Sequence, residues 1–311
     1  MTRLFGNMFR RWRLFLDGDI FYSFRNSPVT VIAAGITAVY ILASLFAPLV
    51  APHNAYDLSS LSLIDAMTPP VWYADGSAKY LLGTDDQGRC ILSTIIYGSR
   101  LSLAVGFAAV LFSGILGVML GLISGSAGGA IDALIMRVAE IQLTFPAILV
   151  ALLVDGIFRG VMPVYALDEV AVYIVIFSIG VSSWPQYART VRASTIVENN
   201  KEYVAAARVI GIHPSVIMVR HVLPNVMGPV LVIGTINLAL AIILEATLSF
   251  LGVGIPPTQP SLGSMIRIGN DFLFSGDWWI TVFPGVVLAV LVLAVNLLGD
   301  WMRDAFNPRL R

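Results

Sequence analysis

Five runs of about twenty apolar residues recur along this chain, near 29–50, 101–123, 133–154, 226–250 and 279–298. As helices, each is long enough to cross the ~30 Å hydrocarbon layer of a bilayer. Composition agrees: 57% of the 311 residues are hydrophobic and only 12% are charged, whereas a soluble domain carries roughly a quarter charged. The reading is an all-α integral membrane protein. A sixth run, 170–188, is weaker, because its apolar part "VAVYIVIFSIGV" is short and leads into "SSWPQY". Hydropathy alone fits a span, a buried helix or a re-entrant one there.

Charge decides the matter, since Lys and Arg near span ends favour the cytoplasmic side. With six spans, fourteen basic residues lie inside and five outside, namely Lys79, Arg89, Arg100, Arg159 and Arg267. Omitting 170–188 reverses the later segments and leaves seven inside against twelve outside. Six transmembrane helices with both termini cytoplasmic is therefore the expectation. The first 28 residues carry five arginines, and the 22-residue run after them is too long for the apolar part of a cleaved signal, so it is read as a retained span. The divisions are a cytoplasmic N-terminal segment (1–28), a first span (29–50), an external loop (51–100), a core membrane domain (101–299) with a cytoplasmic loop (189–225), and a cytoplasmic tail (300–311).

Several function classes drop out. Net charge is zero and no basic cluster is long enough for nucleic acid. The one cysteine, Cys90, excludes an intrachain disulfide and a thiolate metal cage. His213 and His221 lack the ligand spacing of a metal site and read as interfacial polar residues. A phosphate-binding loop needs a glycine cradle followed by lysine. The two lysines follow "YADGSA" and "VENN", so this chain has no nucleotide site of that kind. A proton-coupled carrier would want ionisable groups deep in the membrane. Glu245 and Asp155 instead lie about 29 and 33 Å along their spans, near the outer end, at ~1.5 Å per residue. Arg137 and Glu140 are spaced i,i+3 and suited to mutual neutralisation.

Two loop segments have local character. Before the second span, Gly83, Thr84, Asp85 and Gly88 supply turn and cap chemistry, and Tyr97 and Arg100 suit an interfacial helix feeding that span. Within the span, Gly117, Gly121 and Gly125 recur every four residues, which lets a neighbouring helix approach closely. In the cytoplasmic loop, Glu202 to Ile210 read as a short amphipathic helix, with Asn199 or Asn200 as its cap, Gly211 as its left-handed stop and Pro214 opening a second turn. The small side chains at 205–207 make a smooth face. On pattern alone that face fits a partner protein's groove and a lipid headgroup layer equally well.

The stretch "AAARVIGIHPSVIMVRHVLP" resembles the cytoplasmic signature of bacterial ABC importer permeases, E-A-A-x3-G-x9-I-x-L-P, with Ala206, Ala207, Gly211, Leu223 and Pro224 in register. Ala205 stands where the family most often has Glu, and His221 where it has Ile; Glu202, almost one turn earlier, is the substitute for the acidic role. Three further stretches are similar to the C-type permease of dipeptide and oligopeptide importers: "LLGTDDQGR" with "IYGSRLSL", "LSFLGVGIPPTQPSLGSMI" and "GDWMRDAFNPRLR". In the first, Cys90 replaces the usual Asp of G-R-D.

The resemblance implies the type I ABC importer permease fold in a bacterial cytoplasmic membrane. It implies a homologous B-type permease, two ATPase subunits that bind ATP and Mg, and an extracytoplasmic peptide-binding protein as partners. This chain itself would hold no cofactor and perform no catalysis. Residues 199–214 become the coupling helix seated in one ATPase, with Glu202, Ala205, Ala206, Ala207, Gly211, Leu223 and Pro224 as the coupling residues. The cargo implied is a dipeptide or short oligopeptide, with nickel chelates and glutathione carried by related permeases. The competing classes are a self-contained ion-coupled carrier and a membrane structural subunit.

Overall fold

The computed structural model describes residues 19–54 and 63–305; the arginine-rich segment 1–18 and the end of the tail, 306–311, lie outside the described residues. The described chain begins with a short helix α1 (Asp19–Asn26), followed by α2 (Pro28–Leu45). The Ser27 hydroxyl accepts the Thr30 N–H and Pro28 occupies the first turn of α2, where a missing N–H costs nothing. A single turn, α3 (Ala47–Val50), leads into the loop before α4 (Ile91–Ala127). At 37 residues α4 is about 55 Å long, so the expected interfacial helix and second span are one continuous rod. Tyr97 is buried beside Ala47 rather than placed at the interface; Arg100 is exposed.

The third expected span differs. Residues 133–154 are divided between α5 (Gly129–Leu143) and α6 (Ala147–Val161), which are bent by 97° relative to each other. Pro146 is the cause: it has no N–H to continue the ladder and it drives the preceding residue out of the helical region. Each half is only about 22 Å long and cannot cross alone. The pair nevertheless runs from one end of the bundle to the other. Asp132 in α5 accepts from Ser124 at the end of α4 and from Arg192, while Arg159 in α6 reaches Gly254 at the opposite end. It is a broken span. The sixth run, weak by hydropathy, is in contrast one helix, α7 (Val164–Asn199), which passes through Pro185 and extends well into the expected loop 189–225. With α10 (Leu223–Phe250) and α12 (Trp279–Ala305), the count of six spans holds.

The glycine stripe does what its spacing predicts. A Cβ on Gly121 would lie 2.7 Å from the Ala188 carbonyl and from Val191 Cβ, and one on Gly125 would lie 2.7 Å from Thr195. The backbones of α4 and α7 therefore touch, and any larger residue pushes them apart.

Two carboxylate–arginine pairs hold the end of the bundle that carries the 63–90 loop. Asp85 turns on itself, its Oδ1 accepting the N–H of Gln87 and Arg89, while Arg89 Nε donates to Asp85 Oδ2 at 2.6 Å and Nη1 donates to the Pro257 carbonyl. Arg159 Nε donates to Asp155 at 2.6 Å and its Nη2 to the Gly254 carbonyl at 2.5 Å. Two distant arginines thus grip one loop, residues 252–257, between α10 and α11 (Leu262–Phe272). Beneath it Glu245 is fully buried and accepts from Ser102 and Ser249. The acidic residues that a proton relay would have used are thereby engaged as local ties, and Arg137 pairs with Glu140 in the open at 3.7 Å.

Candidate coupling site

At the other end of the bundle α7 stops at Asn199, and α8 (Glu202–Val209) follows after a two-residue turn. Neither asparagine caps α8. The Asn199 amide donates to the Gly125 carbonyl of α4 at 3.3 Å and the Asn200 amide to the Ile196 carbonyl of α7 at 3.0 Å, so the first ties α7 to α4 and the second closes α7; Lys201 holds the cap position without a side-chain bond. Glu202 lies in the first turn, where its charge opposes the helix dipole. The stop is as expected: Gly211 has φ +83°, the Ile212 N–H bonds the Ala207 carbonyl and the Gly211 N–H bonds the Arg208 carbonyl. This paired closure needs a left-handed residue, which glycine supplies without strain. The His213 ring then accepts the Ser215 N–H and Pro214 opens α9 (Pro214–Ile217), so His213 serves as a cap.

Burial divides the expected coupling residues. Ala205, Ala206, Glu202, Gly211 and Pro224 are exposed. Ala207 is not part of that face: with Val204 it is buried in a cluster containing Leu122, Tyr187, Val191, Ile217, Val222 and Val226. Helical geometry requires this, because 204 and 207 lie one turn apart on the side facing the bundle while 205 and 206 point away. Leu223 is half-buried and packs on the same cluster. Sequence reasoning missed Val209 and Ile210, which are 88% and 77% exposed at the tip of α8. Two branched apolar side chains held in the open, immediately before a glycine stop, were the available signal.

A polar knot ties α8 to the helices on both sides of it. The Tyr203 hydroxyl donates to Glu198 Oε2 at 2.6 Å, and Lys201 Nζ donates to Glu198 Oε1 at 2.6 Å. From the start of α10, the Asn225 amide donates to the Tyr203 oxygen at 3.1 Å and to the His221 carbonyl at 2.8 Å. Desolvation, then the Glu198 carboxylate, raises the Tyr203 phenol above its ordinary value, and the bond to Glu198 raises the Lys201 ammonium. Both groups therefore keep their protons at neutral pH. Between α9 and α10 the chain makes a π turn, Met218–Val222, a local widening of the helix that recurs at functional sites. Also at this end, Phe24 of α1 meets Trp301 of α12, with ring centroids 5.1 Å apart. The first and last described helices thus meet at the α8 end, as an even number of spans demands. Among the described residues no cluster of His, Cys, Asp or Glu is fit to hold a metal ion.

Comparison with known proteins converges on one family. The model described as "Binding-protein-dependent transport system inner membrane component" matches residues 117–311, and that of the "N-terminal TM domain of oligopeptide transport permease C" matches 16–70. The chain is 38% identical to the dipeptide transport system permease protein of Haemophilus influenzae over 94% of this chain and 95% of that one. It is 38% identical to the di/tripeptide transport system permease protein of Pseudomonas aeruginosa, over 87% and 85% respectively. Among solved structures, a chain of the inward-facing MetNI methionine ABC transporter superposes with a TM-score of 0.53 at 18% identity, covering 70% of this chain and 98% of that one. At that identity the likeness is one of fold. The family signature falls on α8 and the start of α10, the glycine-stopped helix and the span it is knotted to, and the chain belongs to the binding-protein-dependent transport system inner membrane components.

Proposed function

We propose that this chain is one of two membrane-spanning subunits of an ATP-driven importer that moves dipeptides or short oligopeptides inward across the cytoplasmic membrane, with α8 as the handle by which a separate ATPase drives it. The observation that carries this reading is the division of α8 into two faces. Val204 and Ala207 root it in the bundle, while Ala205, Ala206, Val209 and Ile210 stand free. Branched side chains beside a smooth alanine surface suit an apolar groove in another protein. The rooted face and the Tyr203 knot make α8 move with α7 and α10 instead of swinging loosely. The α8 end faces the cytosol together with both terminal segments, and the 63–90 loop faces outward, where a soluble binding protein delivers peptide. A homologous second permease completes the path, and the ATPase pair binds the nucleotide and its magnesium.

The test combines Val209→Cys, made after replacement of buried Cys90 by serine, with a second cysteine in the groove of the candidate ATPase. Crosslinking of the assembled complex is expected, with labelling of the introduced thiol by an impermeant reagent only in inside-out vesicles. Labelling from outside intact cells refutes the orientation. Reconstitution separates the classes: ATP-dependent peptide uptake should require all partner chains, and uptake by this chain alone under an ion gradient would establish a carrier instead.

A further inference from the structure

Three helices continue through an internal proline, Pro185 in α7, Pro229 in α10 and Pro284 in α12, and α7 contrasts with the chain at Pro146. Pro146 breaks a span, whereas α7 continues through Pro185. A proline inside a helix deprives the carbonyl four residues earlier of its N–H partner, and in lipid no water replaces it. For Pro185 that carbonyl belongs to Val181. It does have a donor: Gln142 Nε2, from the last turn of α5, lies 2.5 Å away. The other end of the same amide accepts the indole N–H of Trp184 at 2.9 Å. Only one orientation of the amide satisfies both contacts, so its assignment is fixed by its partners. Further along the same pair of helices, Ala139 is fully buried in a cluster with Trp184 and Ala188, and Asp132 pairs with both Nε and Nη2 of Arg192 at 2.5 and 2.6 Å. α5 is thus fastened to α7 along its length, from the turn that holds Pro185 to the last two turns before α8.

We propose that Gln142 is a positioning residue that stands in for the missing N–H of Pro185 and locks α5 onto the proline-bearing part of α7, so that displacement of α8 is passed to the broken span and on to the loop at the opposite end. The route is continuous in contacts. α7 leads through Asn200 and Lys201 into α8; α5 leads through the 97° bend into α6; and Arg159 of α6 holds the Gly254 carbonyl. Without Gln142 the Val181 carbonyl would lose this donor, and the turn that holds Pro185 would lose the contact that ties it to α5. The functional half of this inference rests on α8 being the coupling helix; the joint itself does not.

The joint makes a specific demand. In a Pro185→Ala chain, residue 185 regains its N–H and bonds Val181 directly, so Gln142 is no longer needed there. Spin labels at Val138 and Val197, both exposed on α5 and α7, report the distance between the helices in the assembled complex, with Cys90 replaced. With Pro185 in place, Gln142→Leu should broaden that distance distribution about twofold and lower peptide uptake about tenfold. In the Pro185→Ala background the same substitution should leave the distribution unchanged. Equal broadening on both backgrounds, or none with Pro185 present, overturns the proposal. The distance measurement needs no transport, so it decides the joint even if Pro185→Ala alone stops uptake. Should the joint behave as stated while uptake is indifferent to Gln142, the transmission role is refuted. Failure of the wild-type complex to import peptide at all would instead overturn the function proposed above.

Discussion

Replacement of Gly211 tests whether coupling depends on the backbone of α8 or on the space around it. Nothing lies within 4 Å of the position a Cβ would take, so a side chain meets no obstacle within this chain. The cost is conformational. At φ +83° an L-residue sits in the left-handed region, which disfavours it by roughly 1–2 kcal/mol. That is about a 5- to 30-fold loss in the population of the closed end. An eight-residue helix has little cooperativity of its own with which to resist fraying. Asparagine tolerates this region better than alanine, and a β-branched residue tolerates it worst. The expected order of peptide-stimulated ATP hydrolysis in the complex is therefore Gly211, then Asn, then Ala, then Val, with insertion unaffected in all. Crosslinking through Val209→Cys should fall in the same order. If Gly211→Ala works better than Gly211→Asn, so that activity follows side-chain volume, the backbone explanation is wrong and the glycine is there to make room for the partner.

Three other outcomes follow from the geometry. Gly121→Leu drives a side chain into the Ala188 carbonyl and Val191 and should cost about 1–3 kcal/mol of overpacking, read as a lower midpoint of thermal unfolding in detergent; an unchanged midpoint would mean that α4 and α7 do not touch there. Cys90 occupies the cap position of α4 without a side-chain bond, so Cys90→Asp should raise stability by about 1 kcal/mol, and a drop would show that the buried site rejects the charge. In the 63–90 loop, Asp65 accepts from Lys79 Nζ and the Tyr80 hydroxyl. Those bonds, Lys79 first, hold its carboxyl below the ordinary 3.8. A carboxyl lowered on folding contributes stability above its unfolded value and loses it as pH falls through the folded one. Protease resistance of the loop should accordingly be flat from about pH 7 to 5 and decline below about 4, and Asp65→Asn should abolish that decline.

Much of this protein is legible in its sequence. Long apolar runs and the placement of arginine and lysine specify a six-span bundle, because lipid forces both the length of a span and the side on which its charges rest. The spacing of Gly117, Gly121 and Gly125 predicts a close helix contact, and the sequence around Gly211 predicts a helix stop, since each depends on chain-local geometry. Other features are invisible at that level. The face on which Ala207 lies, the capture of Asn199 by α4 and the exposure of Val209 and Ile210 depend on which neighbour each helix meets. The two prolines make the point most sharply. Pro146 and Pro185 remove the same hydrogen bond in sequence terms, and hydropathy ranks the segment with Pro146 as the better span. One proline lies at a 97° bend and the other within an unbroken helix, and only tertiary packing puts Gln142 beside the carbonyl that Pro185 orphans. A sequence states which backbone groups lose their local partner; whether a distant side chain replaces it is decided by the fold.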